Sequence, residues 1–328
     1  MKCEYMFTTH EKKGICDGEE MERREGGEMN KFKKLVAIEP VFLQENSRKE
    51  IRQYCEEAVF YDEEAADADD IVRRIGDADG IFVSFKHPIG KEILEKCPNL
   101  KYIGMCCSLY SEKSSNVDIA YAREHGITVT GVRDYGDEGV AEYVVSELIQ
   151  ILHGTGGYTP FLGIESEIKD LKVGILGMGA TAQVIANALK FFGANISYYS
   201  RTRKKDLENE NGYQYRELDE LLKTSDVVCS CLSKNVTLLY ERELELLGEQ
   251  KILFNTSLSP SFDMDAMKTW LSKKDTHYFC DTLMGLGEEE LLTYSNVHCI
   301  KKSSGTTKQA IVRLNEKVLR NLREYVQG

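Results

Sequence analysis

KVGILGMGATAQVIANALKFFGANISYYSRTRKK, residues 172–205, holds a strand, a glycine turn, a helix and a second strand in one unbroken order. Val173 to Leu176 is an apolar run of strand length that leads into Gly177-Met178-Gly179-Ala180-Thr181-Ala182. In that hexamer the first glycine permits a tight turn, the second lets the backbone approach a pyrophosphate, and small Ala182 packs helix against strand. The helix follows at once, with Val184, Ile185, Ala188, Leu189 and Phe192 expected inward and Gly193 as its C-cap. Its N-terminus offers unpaired N–H groups to an anion. The combination reads as a dinucleotide site, with the six residues of the turn lining the phosphates.

An NAD site places an acid at the end of the second strand, about 20 residues past the glycines, to hold the ribose 2′-hydroxyl. Ser200 stands there instead, followed by Arg201, Thr202, Arg203, Lys204 and Lys205. Such a run of cations and hydroxyls suits a 2′-phosphate. Ser200, Arg201 and Thr202 are therefore read as contacts on the adenosine side, and NADP is preferred over NAD. The alternative is a solvated basic turn with relaxed cofactor choice.

Outward from this unit the chain keeps alternating. Before it come LVAIEP, AVFYD, GIFVSF, KYIGMCC and ITVTGV; after it come DVVCSCL, KILFNTSL, THYFCD and NVHCI, each separated by an amphipathic or polar segment. Strands alternating with helices define an α/β architecture with mostly parallel sheet. EGVAEYVVSELIQILHG, residues 138–154, carries Val140, Val144, Leu148 and Leu152 on one helix face and is long enough to join two domains. The His153-Gly-Thr-Gly-Gly run behind it reads as a linker. TTKQAIVRLNEKVLRNLREYVQG closes the chain as another helix, striped by Ile311, Leu314, Val318 and Leu322.

At 328 residues and 42% hydrophobic content the chain suffices for two domains with proper cores. Its 54 acidic and 42 basic residues leave a formal charge of -12, which opposes binding to nucleic acid or an anionic membrane. The sequence has no run near the roughly 18 apolar residues of a membrane span, and its start lacks the order of a signal peptide. A cytoplasmic protein is expected. The ten cysteines mostly sit in apolar runs without ligand spacing and read as reduced core residues, with no metal site. Residues 1–30 are polar and charge-mixed and are expected to form a mobile tail.

With these motifs in place, the chain from about Lys34 to Gly328 resembles the D-isomer-specific 2-hydroxyacid dehydrogenases. The resemblance rests on CPNLKYIGM (97–105), SSNVDIAYAREHGITVTGV (114–132), YGDEGVAEYVVSELI (135–149), GILGMGATA (174–182), LDELLKTSDVVCSCLS (218–233) and FNTSLS (254–259). Asp281 and Gly305-Thr306-Thr307 also fall where the family pattern has them. It implies two Rossmann-like domains, each a doubly wound parallel sheet, with a cleft between them. Residues 31–140 with 305–328 would bind a small-molecule substrate, and 141–304 would bind the cofactor. By the same resemblance Asn255 and Thr256 lie beside the cofactor and Asp281 accepts a bond from the nicotinamide carboxamide. The loop of Ser108, Leu109 and Tyr110 would offer N–H groups to a substrate carboxylate, and the protein would be a homodimer.

The pattern breaks at the chemistry. Reducing a 2-oxo acid needs a proton donor and a cation for the carbonyl and carboxylate, and the family uses an arginine, a glutamate and a histidine. Here Leu258, Leu286 and Lys302 stand at those places, with Glu288, Glu289 and Glu290 just beyond the second. Lys302 is the leading catalytic candidate, since a desolvated ammonium can lower its pKa and act as acid or clamp. Lys86 and His87, after the GIFVSF strand, are the second. Two functions are therefore weighed: an NADP(H)-dependent oxidoreductase of a small carbonyl or hydroxy compound, and a nucleotide-binding or sensor protein that has lost catalysis.

Overall fold

The computed structural model describes residues 32–328, and its twelve strands form two sheets in which every pairing is parallel. The tail expected over residues 1–30, with Cys3 and Cys16, lies outside the described residues. The first sheet contains β1 (Phe32–Ala37), β2 (Cys55–Phe60), β3 (Gly80–Val83), β4 (Tyr102–Ser108) and β5 (Thr128–Val132), in the order β2-β1-β3-β4-β5. The second contains β6 (Lys172–Leu176), β7 (Asn195–Tyr199), β8 (Gln214–Tyr215), β9 (Val227–Ser230), β10 (Lys251–Asn255), β11 (Thr276–Cys280) and β12 (Val297–Cys299). Its order is β12-β11-β10-β9-β6-β7-β8.

Both orders reverse once, between β1 and β3 in the first sheet and between β6 and β9 in the second. At such a switch the neighbouring connections leave in opposite directions and open a crevice at the carboxyl ends of the strands. Helices cover both faces of each sheet, which is why β3, β4 and β9 read as nearly continuous apolar runs rather than alternating ones. Each face has its own apolar cluster.

Three helices position the site. Asp137–His153 starts with two acids, Asp137 and Glu138, which suit its positive end, and stops at Gly154 in the left-handed region. It buries Val144, Leu148 and Leu152 in the same cluster as Ile185 and Leu189 of the helix Ala180–Phe191. In the latter helix the structure corrects one expectation: Phe192 is 44% exposed rather than inward, because the helix ends at Phe191 and the chain turns out through Gly193.

The third helix, Lys308–Gln327, returns to the first sheet. Thr307 caps it by accepting from the Ala310 N–H at 3.1 Å, and Leu314, Val318, Leu322 and Val326 are buried in the cluster of Phe32, Leu35, Phe82 and Tyr102. Buried Asn315 fastens it to the first sheet's leading loop, accepting from the Gln44 N–H at 2.8 Å and donating to the Phe42 carbonyl at 3.0 Å. The two chain crossings between the sheets pass backbone to backbone: a Cβ on Gly136 would stand 2.6 Å from the Gly305 carbonyl, and one on Gly139 would stand 2.5 Å from that of Ser304.

Candidate active site

The glycine turn lies at the switch of the second sheet. Gly177 has φ +85°, its N–H bonds the Tyr199 carbonyl at 2.8 Å, and a Cβ there would stand 2.9 Å from the Cys231 carbonyl. Only glycine meets all three conditions. Gly179 caps the helix, and a Cβ there would meet nothing within 4 Å, so open space lies against the backbone where a pyrophosphate would approach. Ala182 is fully buried between helix and sheet, and Met178 is buried as well. Ala180 starts the helix and Thr181 donates its hydroxyl to Asp137 at the start of the long helix. These features fit a dinucleotide.

At the end of β7 the basic cluster divides. Arg203 gives two N–H groups to Glu208, at 2.7 and 2.6 Å, holding that carboxyl at about 2, well below the usual range, and it lies over the Tyr215 ring. Arg201 and Thr202 are exposed, and no ion pair engages Arg201 among the described residues. The Ser200 hydroxyl donates to the Thr202 carbonyl at 2.8 Å.

At the ends of β10 and β11 a buried network shapes the loops. The Asn255 amide donates to the carbonyls of Ser259 and Gly285, each at 3.0 Å, while Thr256 donates to the Ser230 carbonyl at 3.1 Å. Buried Asp281 accepts from both the N–H and the hydroxyl of Ser304, at 3.0 and 2.8 Å, and both bonds use Oδ2. Leu258 is 41% exposed and Leu286 is fully buried. Glu288 and Glu290 are engaged by Lys268, at 2.9 and 2.7 Å. The Lys302 N–H donates to the Asp281 carbonyl at 2.8 Å, but the residue is exposed.

Across the cleft, Ser108 ends β4 and shares its hydroxyl environment with Tyr135, whose own hydroxyl burial pushes up to about 12. Arg133 pins the following turn by donating to the carbonyls of Leu109, at 2.6 Å, and Tyr110, at 3.0 Å. Asp137 is 8% exposed, and burial raises its carboxyl above the usual range against the opposing bond from Thr181. That acid sits beside the phosphate turn.

Lys86 and His87 follow β3 at the other switch. Lys86 is exposed and ion-paired with Glu64. His87 points Nδ1 at Glu39, a wholly buried carboxylate just past β1. Sequence reasoning missed Glu39, since one acid after a strand resembles a surface residue until its burial is known. It also missed Lys234. That exposed residue precedes Asn235, whose backbone is left-handed (φ 63°) and whose N–H donates to the Ser259 hydroxyl at 2.7 Å, next to Leu258. Burial and then the Glu39 charge push the Cys107 thiol up to about 12, and the Lys234 charge opposes them. Charges from both units thus meet at the end of β4.

A separate cavity of about 430 Å³ opens at the amino ends of β6, β7 and β8, away from the cleft. Two cations that line it are engaged, Lys190 by the Asn211 carbonyl and Arg216 by Glu220. Among the described residues no helix is long and apolar enough to cross a membrane.

Residues 35–328 match the family model described as D-isomer specific 2-hydroxyacid dehydrogenase, catalytic domain. A hydroxypyruvate reductase of Blautia hydrogenotrophica is 27% identical over 295 residues, which is 83% of this chain and 90% of that one. A glyoxylate reductase of Thermococcus litoralis is 26% identical over 310 residues, covering 87% and 92% respectively. Among solved structures, an acyclic imino acid reductase (Bsp5) in complex with NADPH and D-Arg superposes with a TM-score of 0.76 at 22% identity, over 90% of this chain and 97% of that one. At that identity the likeness speaks for the fold.

Proposed function

We propose, because this chain belongs to the D-isomer specific 2-hydroxyacid dehydrogenase family, that it reduces a small 2-oxo acid or a near relative of one with NADPH. The protein is a nicotinamide-dependent oxidoreductase acting on a carbonyl or hydroxy carbon. The observation that carries the finer reading is the intact turn: left-handed Gly177, open Gly179 and a twelve-residue helix behind them.

In this reading Gly177, Met178, Gly179, Ala180, Thr181 and Ala182 hold the pyrophosphate, and Ser200, Arg201 and Thr202 the adenosine side. Asn255, Thr256 and Asp281 hold the nicotinamide side. When bound, the nicotinamide supplies a hydride to a carbonyl carbon. Ser108, Leu109 and Tyr110 orient the substrate, and Lys234 supplies the cation that Leu258 no longer provides. Lys302, Lys86 and His87 are the proton-donor candidates. Glyoxylate and hydroxypyruvate head the substrates to test, given the relatives' names. Thiol-rich strands without disulfides among the described residues support a cytoplasmic location, and family membership supports a homodimer, which light scattering of the purified chain tests.

The experiment is NADPH oxidation followed at 340 nm over 2-oxo acids, ketones, aldehydes and imines, with Lys302→Ala alongside. Turnover of 2-oxo acids is expected. Cofactor binding with no turnover of any substrate would refute the reading in favour of a sensor, and turnover unchanged in Lys302→Ala would remove that lysine.

A further inference from the structure

The first sheet has a switch point of its own, between β1 and β3. Glu39 stands just past the carboxyl end of β1, and Ser84, Lys86 and His87 just past that of β3, so an imidazole backed by a buried carboxylate stands at the crevice that topology favours for a ligand.

Glu39 has no exposed surface. One of its oxygens accepts from the Ser84 N–H at 2.8 Å and from the Ser84 hydroxyl at 2.7 Å, and the other meets His87 Nδ1. An ionised carboxylate taken out of water is costly unless paired and hydrogen-bonded. Here its partners are a backbone donor, a hydroxyl and an imidazole N–H. The Ser84 hydroxyl is itself held, accepting from the Lys86 N–H at 3.2 Å. The His87 ring is thus fixed at Nδ1, while the side chain keeps 23% of its surface. A carboxylate on Nδ1 sets the tautomer in which Nε2 can take or give a proton.

The pair also touches the loop that would receive the substrate. Asn116, at the far end of that loop, donates its amide to the carbonyls of Ser84, at 2.9 Å, and His87, at 2.6 Å. Ile89 and Val117 bridge beside it. The charges of Glu39 and Lys234 both bear on Cys107, with opposite effect. By contrast Lys86 is committed to Glu64 and Lys302 is exposed.

We propose that His87 is the proton donor of the reaction, held by Glu39 as its positioning residue, at a place in the substrate unit rather than the cofactor unit. The proposal rests on reading the protein as a carbonyl reductase. As hydride from the reduced nicotinamide forms the new C–H bond, the C=O π pair moves to oxygen. The Nε2–H bond of His87 breaks and the O–H bond forms, leaving neutral imidazole, which regains its proton from water. Oxidation of the alcohol runs the same steps backward, with Nε2 as base.

The test uses the full chain, NADPH and the best 2-oxo acid of the panel. His87→Ala should lower kcat by about 10²- to 10⁴-fold, leave the NADPH dissociation constant unchanged in a fluorescence titration, and regain activity with added imidazole. Glu39→Gln should lower kcat with little change in KM, and Glu39→Asp should recover part of the loss. A readout apart from turnover is diethyl pyrocarbonate labelling of His87, followed by peptide mass. Oxamate with NADPH should slow it. If Glu39 variants fail to fold, the His87 rescue and the labelling still decide. Wild-type turnover retained in His87→Ala would overturn the dyad and leave the function standing. Absence of turnover in the wild type overturns both.

Discussion

Replacing Arg201 with alanine separates a 2′-phosphate site from a merely basic turn. The two arginines of the cluster differ in the structure. Arg203 is closed off by two short bonds to Glu208, whereas Arg201 is exposed beside the end of β7, one strand from the phosphate turn. The Ser200 hydroxyl already donates to Thr202, so it adds little to a phosphate unless it rotates. A charge-assisted bond contributes about 1.5–3 kcal/mol, and exposure together with salt screening favours the lower end. About 1.5–2 kcal/mol corresponds to roughly 10- to 30-fold at 1.36 kcal/mol per decade. Arg201→Ala should therefore weaken NADPH by that factor at low ionic strength and leave NADH unchanged. The assay is a nucleotide fluorescence titration of both cofactors against wild type and variant. Equal weakening of the two, or a wild type that binds NADH as tightly as NADPH, would refute the reasoning.

Other outcomes follow from the same geometry. Burial holds a proton on Asp137 to higher pH than in the unfolded chain, so a penalty enters as pH rises past the ordinary carboxyl value and is complete above the folded one. Since that acid lies beside Thr181, Asp137→Asn should tighten NADPH about 3- to 10-fold at neutral pH, on the order of 1 kcal/mol for one removed charge, and calorimetry reads it. His298 is pressed from 6.5 to about 4 by burial, then by His277. The unfolded chain takes that proton first, so stability present above pH 6.5 is lost as pH falls toward 4. Allowing for partial exposure the loss is about 1–2 kcal/mol, and His298→Leu should flatten the profile of urea midpoints between pH 7.5 and 5. Lys234→Gln should raise KM for a 2-oxo acid about tenfold or more, the worth of one charge-assisted bond, while KM for an uncharged aldehyde stays put. Equal effects on both substrates would count against an anion anchor.

The phosphate turn was legible because everything it needs is local: strand, glycines, small residue and helix lie within about twenty positions, and periodicity reports each of them. Phe192 shows the limit at an element's edge, where one residue past the last turn points to solvent although the stripe continues in sequence. The acid and cation groups of the cleft were harder. Glu39 and His87 are 48 positions apart and Asp137 and Thr181 are 44 apart, so only the order of strands brings them together. Glu288 and Glu290 stand near the expected acid in sequence, yet the structure gives them to Lys268. Lys234 had no signal at all, because its placement depends on the left-handed turn at Asn235 and on a bond to Ser259.

The return of the helix Lys308–Gln327 to the first sheet bears on how the protein is made. Phe32, Leu35, Phe82 and Tyr102 are synthesised early, but Leu314, Val318, Leu322 and Val326, which cover them, come last. About 180 residues separate β5 from Leu314, roughly 10–40 s of elongation at about 5–20 residues per second. Through that interval an open apolar face is carried by the nascent chain while the second sheet, whose strands lie within residues 172–299, has all its pairing partners at hand. The half of the molecule that begins first is thus completed last, and its newborn form is the one most in need of a chaperone.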